Sequence, residues 1–152
     1  MKIANSVKIT VFIKEEEDFD KVKRALLQLF PFNIEEEKIE LKESSATGFN
    51  EKKIRVIEVL LEKDRHIEAF LKNINDNLSE ETREWLLNQL ERRIDDDCNL
   101  FLRLSKEKWI EEKYLWVTDQ GNCFHIKINV AAFPKKKENA LEIIRNLFKV
   151  QG

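Results

Sequence analysis

Val7-Lys8-Ile9-Thr10-Val11-Phe12-Ile13-Lys14 sets the reading of the whole chain. Val7, Ile9, Val11 and Ile13 fall on one side of an extended backbone, and Lys8, Thr10, Phe12 and Lys14 on the other. A period of two is the mark of a strand with one buried face. Such strands belong to sheets covered on one side only, which antiparallel sheets tolerate. Asp18 then offers a helix cap, and Phe19, Val22, Leu26, Leu29 and Phe30 form a helical stripe that Pro31 ends.

Further along the chain, residues 34–42 and 53–61 read as two more strands. The small, polar loop 43–50, which contains Gly48 and Asn50, joins them as an antiparallel pair. Asp64 caps a helix with Ile67, Phe70, Leu71, Ile74 and Leu78 on its inner side. Ser79 caps the next, which runs through Leu86, Leu87, Leu90 and Ile94. The acidic turn Asp95-Asp96-Asp97 precedes a strand from Asn99 to Leu104, and residues 105–112 form a short helix carrying Trp109. Residues 114–117 and 123–133 read as a hairpin closed by Asp119-Gln120-Gly121-Asn122. Ala140, Leu141, Ile144, Leu147 and Phe148 stripe a terminal helix. The expected order is β-α-β-β-α-α-β-(α)-β-β-α, a single α+β domain over residues 1–152. Its architecture is a two-layer sandwich, a mostly antiparallel sheet with helices packed on one face.

The composition narrows the function classes. Among 152 residues, 27 Lys and Arg balance 29 Asp and Glu, for a formal charge of -2. Any nucleic-acid site must therefore be a local patch created by folding. The amino terminus lacks a signal-peptide core, no apolar run is long enough to span a membrane, and two cysteines do not make a secreted disulfide framework. The expected location is the cytoplasm.

Signs of catalysis are sparse. Gly48, Gly121 and Gly152 are too far apart for a phosphate cradle, and no nucleophile elbow exists. His66, in a first helical turn, reads as solvated. Asp95, Asp96 and Asp97 have carboxylates that suit Mg²⁺, yet a charged turn needs no metal. Cys123 and His125 face one side of a strand but lack the second half of a zinc site. The expectation is a non-enzyme without metal or cofactor.

The side chains that alternate away from the apolar face are more informative. They are Lys8, Thr10, Phe12 and Lys14, then Phe101 and Arg103, then His125, Lys127 and Asn129. Aromatic rings interleaved with cations on an open sheet stack bases and neutralise phosphates, although the solvated face of any sandwich alternates too. Competing basic clusters are Lys52, Lys53 and Arg55, Arg92 and Arg93 with Arg103, Lys106 and Lys108, and Lys135 to Lys137. Trp109, Trp116 and Phe133 look exposed and favour a protein interface instead.

The segment 7–31, together with Arg93-Ile94-Asp95 and Leu100-Phe101-Leu102-Arg103-Leu104-Ser105-Lys106, resembles an archaeal group of predicted RNA-binding proteins. That group is proposed to supply accessory subunits of the RNA-degrading exosome. The resemblance runs from Val7 to about Phe133. It implies a two-layer α/β fold similar to a ribosomal protein of the large subunit, and it places Arg93, Asp95, Arg103, Lys106 and the loop with Gly48 and Asn50 in the functional region. Read from the residues, Asp95 pairs with Arg93 or Arg103 as an internal clamp, or the arginines face RNA. The resulting expectation is a non-catalytic RNA-binding protein with exosome or other RNA-processing proteins as partners. The candidate RNA-binding residues are Lys8, Phe12, Lys52, Lys53, Arg55, Arg93, Phe101, Arg103, Lys106 and Lys127. The alternative is an interaction module or homodimer that binds no RNA.

Overall fold

The structure, a computed structural model, describes residues 2–47 and 52–149. Its elements are β1 (Ala4–Lys14), α1 (Phe19–Leu27), β2 (Leu41–Thr47), β3 (Lys53–Leu61), α2 (Asp64–Asn77), α3 (Glu80–Leu87), α4 (Leu90–Arg93), β4 (Asn99–Ser105), α5 (Lys106–Glu112), β5 (Cys123–Val130) and α6 (Lys137–Leu147). The sheet order is β2-β3-β1-β5-β4, and every adjacent pair is antiparallel. The α+β sandwich expected from the alternation of β1 is the fold. Gly48 and Asn50 lie outside the described residues.

Register aligns the apolar positions in rows across the sheet. Val59, Ile9, Ile126 and Leu102 form one such row, and Ile57, Val11, Phe124 and Leu104 the next. All eight are buried. The helices cover this side through Val22, Leu26, Phe70, Ile74, Leu86 and Ile144, in one continuous core. Asp18 caps α1 through a bond from the Lys21 amide, and Ser79 caps α3 through one from the Thr82 amide. The other side of the sheet carries no helix among the described residues, so the alternate side chains of five strands face outward.

Several expectations need correcting. Residues 34–38 are turns and 39–40 irregular, because Asn33 Oδ1 accepts the Glu36 amide and Lys38 takes a left-handed φ of 58°. The strand starts only at Leu41. The helix expected from Ser79 to Ile94 breaks after Leu87, and the short α4 turns Leu90 and Ile94 onto β4, where Ile94 bridges Leu100. Residues 114–117 do not form a hairpin with β5, since β1 and β4 occupy both of its edges; Val117 bridges Leu104 on the outer edge of β4. His66 is buried, packed against Phe32 and 3.2 Å from a Glu37 oxygen. Asp64 opens α2 inside the first turn, with Lys63 at the cap position.

Candidate nucleic-acid interface

The register that buries the core also sets the rows of the opposite face. Leu60, Lys8, Lys127 and Phe101 lie side by side across β3, β1, β5 and β4. Glu58, Thr10, His125 and Arg103 form the next row; beyond it Val56 pairs with Phe12, and Cys123 with Ser105. Beyond β4, the Thr118 amide donates to the Arg103 carbonyl at 2.8 Å and the Ser105 amide to the Trp116 carbonyl at 2.8 Å. Val117 points into the core there, which turns Trp116 outward.

Phe12, Phe101 and Trp116 are 47%, 44% and 40% exposed, unusually open for aromatic rings. Phe12 meets His125 edge-on, with ring centroids 5.5 Å apart. Lys8 stands directly opposite Lys127, a like-charge pair that destabilises a sheet. Lys8 reaches back to Glu58 at 3.3 Å. From β1 to β4, none of the outward-turned positions holds a carboxylate: Ser6, Lys8, Thr10, Phe12 and Lys14 on β1, Cys123, His125, Lys127 and Asn129 on β5, Asn99, Phe101, Arg103 and Ser105 on β4. The charged side chains at these positions are all cations, with Glu58 of β3 and Asp119 at the two flanks. The β2–β3 half differs, with Glu58 and Glu40 near Lys42.

Burial, then the charges of Arg103 and Lys106, pushes the His125 pKa below the ordinary histidine value, so its ring is neutral at pH 7. Its Nε2 lies 3.8 Å from Cys123 Sγ. Burial likewise pushes the Cys123 thiol up, which keeps it protonated and a poor metal ligand. No cluster of three potential metal ligands occurs among the described residues. Asp95 accepts the Asp97 and Asn99 amides and the Asn99 side chain, an arrangement that lowers its pKa chiefly through the Asn99 amide. The acidic turn is thus a backbone device.

The structure therefore divides the residues expected from the sequence. Lys8, Phe12, Phe101, Arg103 and Lys127 share the open face. Lys106 does not: it is 4% exposed, and its Nζ donates to the Phe12 carbonyl at 2.8 Å and to both Glu17 oxygens. Capping of α5 by Ser105 directs this lysine inward, beneath the strand end. Arg93 is also buried, and its partner is Asp119 at 2.6 Å, replacing the expected clamp on Asp95. Arg55 and Lys53 share the parity of buried Ile57 and so face the helical side. There Arg55 stacks 3.4 Å from the Phe19 ring centre and pairs with Glu43, whose pKa the bonded Lys23 lowers. Lys52 is exposed just before β3. Trp109 is held by a bond from Nε1 to the Ala25 carbonyl. Trp116 is an open-face residue that the hairpin reading hid, since only its pairing with β4 reveals its direction.

Comparison with known proteins places this surface in context. A family model described as RNA binding matches residues 6–131. An RNA-binding protein of Pyrococcus abyssi is 32% identical over 143 residues, covering 93% of this chain and 92% of that protein. A solved structure from Archaeoglobus fulgidus has 30% identity and a TM-score of 0.82, over 95% of this chain and 99% of that one. A DUF54 protein from Methanothermobacter thermautotrophicus has 28% identity and a TM-score of 0.79, over 97% and 99%. No helix among the described residues is long and apolar enough to cross a membrane. With a family match over most of its length, the chain belongs to the RNA-binding family, the archaeal group that its opening strand and its segment around Arg103 resemble.

Proposed function

We propose that this protein is a non-catalytic RNA-binding protein that holds unpaired RNA on the open face of its sheet. The observation that carries the reading is the carboxylate-free half of that face, where Lys8, Lys127 and Arg103 alternate with exposed Phe12 and Phe101. Phosphates meet cations on strands whose outward positions hold no acid, Lys8 alone reaching to Glu58 of β3, and bases find aromatic planes on which to stack. Membership of the RNA-binding family supports the same conclusion.

Fluorescence anisotropy with a labelled single-stranded oligoribonucleotide tests this reading. Affinity falls as salt rises, and Lys8→Ala with Lys127→Ala flattens the log–log salt dependence by about 0.7 for each phosphate that is no longer neutralised. Absence of binding at low salt to mixed-sequence oligoribonucleotides contradicts it. A finer proposal is association with RNA-degrading machinery such as the exosome, tested by affinity capture from lysate with and without ribonuclease.

A second reading, a protein-docking or dimerising surface, draws on Leu60 and Phe133, exposed by 44% and 95%. Light scattering that shows a monomer, together with capture that ribonuclease abolishes, removes it.

A further inference from the structure

At the rim of the open face, beyond β4, three guanidinium groups converge on one residue. Asp119 Oδ1 accepts from Arg93 Nη2 at 2.6 Å, and its Oδ2 lies 3.7 Å from Arg92. The backbone carbonyl of the same residue accepts from Arg103 Nη1 at 2.9 Å. We propose that Arg92, Arg93 and Arg103 form a phosphate-binding site, occupied in the free protein by the Asp119 carboxylate, which a phosphate of bound RNA displaces. The inference deepens the RNA reading above and rests on it for the source of the phosphate.

Charge and bonding both point this way. Two guanidinium groups meet the carboxylate and a third holds the backbone carbonyl of the same residue, so the cluster of three cations and one anion retains an excess of positive charge. Arg93 is 8% exposed, lies with its guanidinium 5.1 Å from the Trp85 ring centre, and gives its other bond to Gln89. Its Nε is buried without a hydrogen-bond partner among the described residues. A buried guanidinium with an unused donor is costly unless a further acceptor arrives. A phosphate offers more acceptor oxygens than a carboxylate, and the arginine fork fits either group. Burial and the neighbouring Arg92 and Arg103 both weigh against the Arg93 charge, with Asp119 countering them.

Asp119 is placed to leave. Its side chain is 49% exposed, and its carboxylate is bonded to these arginines alone among the described residues. It belongs to the turn Thr118–Asn122, held by the Thr118 hydroxyl bonding to Gln120 and by Gly121 at φ 89°. The partners on either side belong to different elements, Arg92 and Arg93 to α4 and Arg103 to the open face. A phosphate here would therefore lie at the end of a strand of RNA running across the sheet past Lys127.

The test has two arms. In the first, inorganic phosphate is titrated into isotopically labelled wild-type protein and Asp119→Asn, reading the Arg93 Nε–Hε resonance. The expected result is a saturable shift in both, with roughly tenfold tighter binding to Asp119→Asn, since no charge-assisted hydrogen bond must be broken first. No shift in either protein, or equal affinity in both, overturns the proposal. In the second arm, Asp119→Asn raises affinity for the oligoribonucleotide, and the gain disappears in an Arg103→Gln background whose fold is checked by circular dichroism. A gain that survives Arg103→Gln is a general charge effect and overturns the proposal. Oligonucleotides with and without a 5′-phosphate separate a terminal phosphate from a phosphodiester within the strand. If inorganic phosphate binds as expected and no RNA does, the site stands and the RNA reading alone falls.

Discussion

Replacing Lys106 with Ala removes its bonds to the Phe12 carbonyl and to both Glu17 oxygens, and leaves a mostly buried carboxylate with only the Lys14 amide as partner among the described residues. The expected cost is roughly 2 kcal/mol, read as a lower urea midpoint. Arg103→Ala, three residues earlier on an exposed position, costs within about 0.5 kcal/mol yet lowers RNA affinity. From sequence the two cations look alike on one rim. Strand alternation gives the direction of Arg103, whereas the inward turn of Lys106 depends on where Ser105 caps α5 and on Glu17 arriving from another part of the chain. His125 yields a pH prediction. Its pKa is lowered in the native protein, so below the ordinary value of about 6.5 the unfolded chain takes up a proton that the native state resists. This contribution to stability is full above that pH and falls as the pH drops toward the native pKa. A phosphate beside the ring reverses the preference. RNA binding near pH 6 is therefore expected to take up protons, detectable by calorimetry in buffers of different ionisation enthalpy. Zero uptake would place the phosphate away from His125.

Strands carry different tasks on their two sides, and substitutions on the open face separate stacking from charge. Phe12→Ala and Phe101→Ala are each expected to weaken RNA binding by about 1–3 kcal/mol while leaving the salt slope unchanged, because the lost interaction is neutral. Lys127→Ala changes the slope instead. Equal slope changes for both kinds of variant would contradict stacking. The strands β1, β4 and β5 are legible in the sequence because their alternation is strict and lies between clear turn signals. β2 is not, since Ile34, Ile39 and Leu41 suggest a strand while Asn33 and Lys38 close turns over the same residues. Residues 114–117 fail for another reason. Proximity to β5 along the chain suggests a hairpin, but the two edges of β5 are taken by β4 and by β1 from the other end of the chain. That contest is decided by tertiary pairing, which period alone does not encode.

Across the protein, the near-neutral charge hides a division between surfaces. The helical side neutralises Arg55 and Lys23 with Glu43, and the β2–β3 end sets acids among its lysines. The outward positions of β1, β5 and β4 carry cations and no carboxylates, with Glu58 and Asp119 facing them only from the flanks. The most direct test of this account is amide chemical-shift mapping of labelled protein titrated with a single-stranded oligoribonucleotide at low salt. The account predicts that perturbations concentrate at Lys8, Thr10, Phe12, Phe101, Arg103, His125 and Lys127, and continue to Thr118 and Asp119. Perturbations confined to the helical side, around Phe19, Lys53 and Arg55, would contradict it.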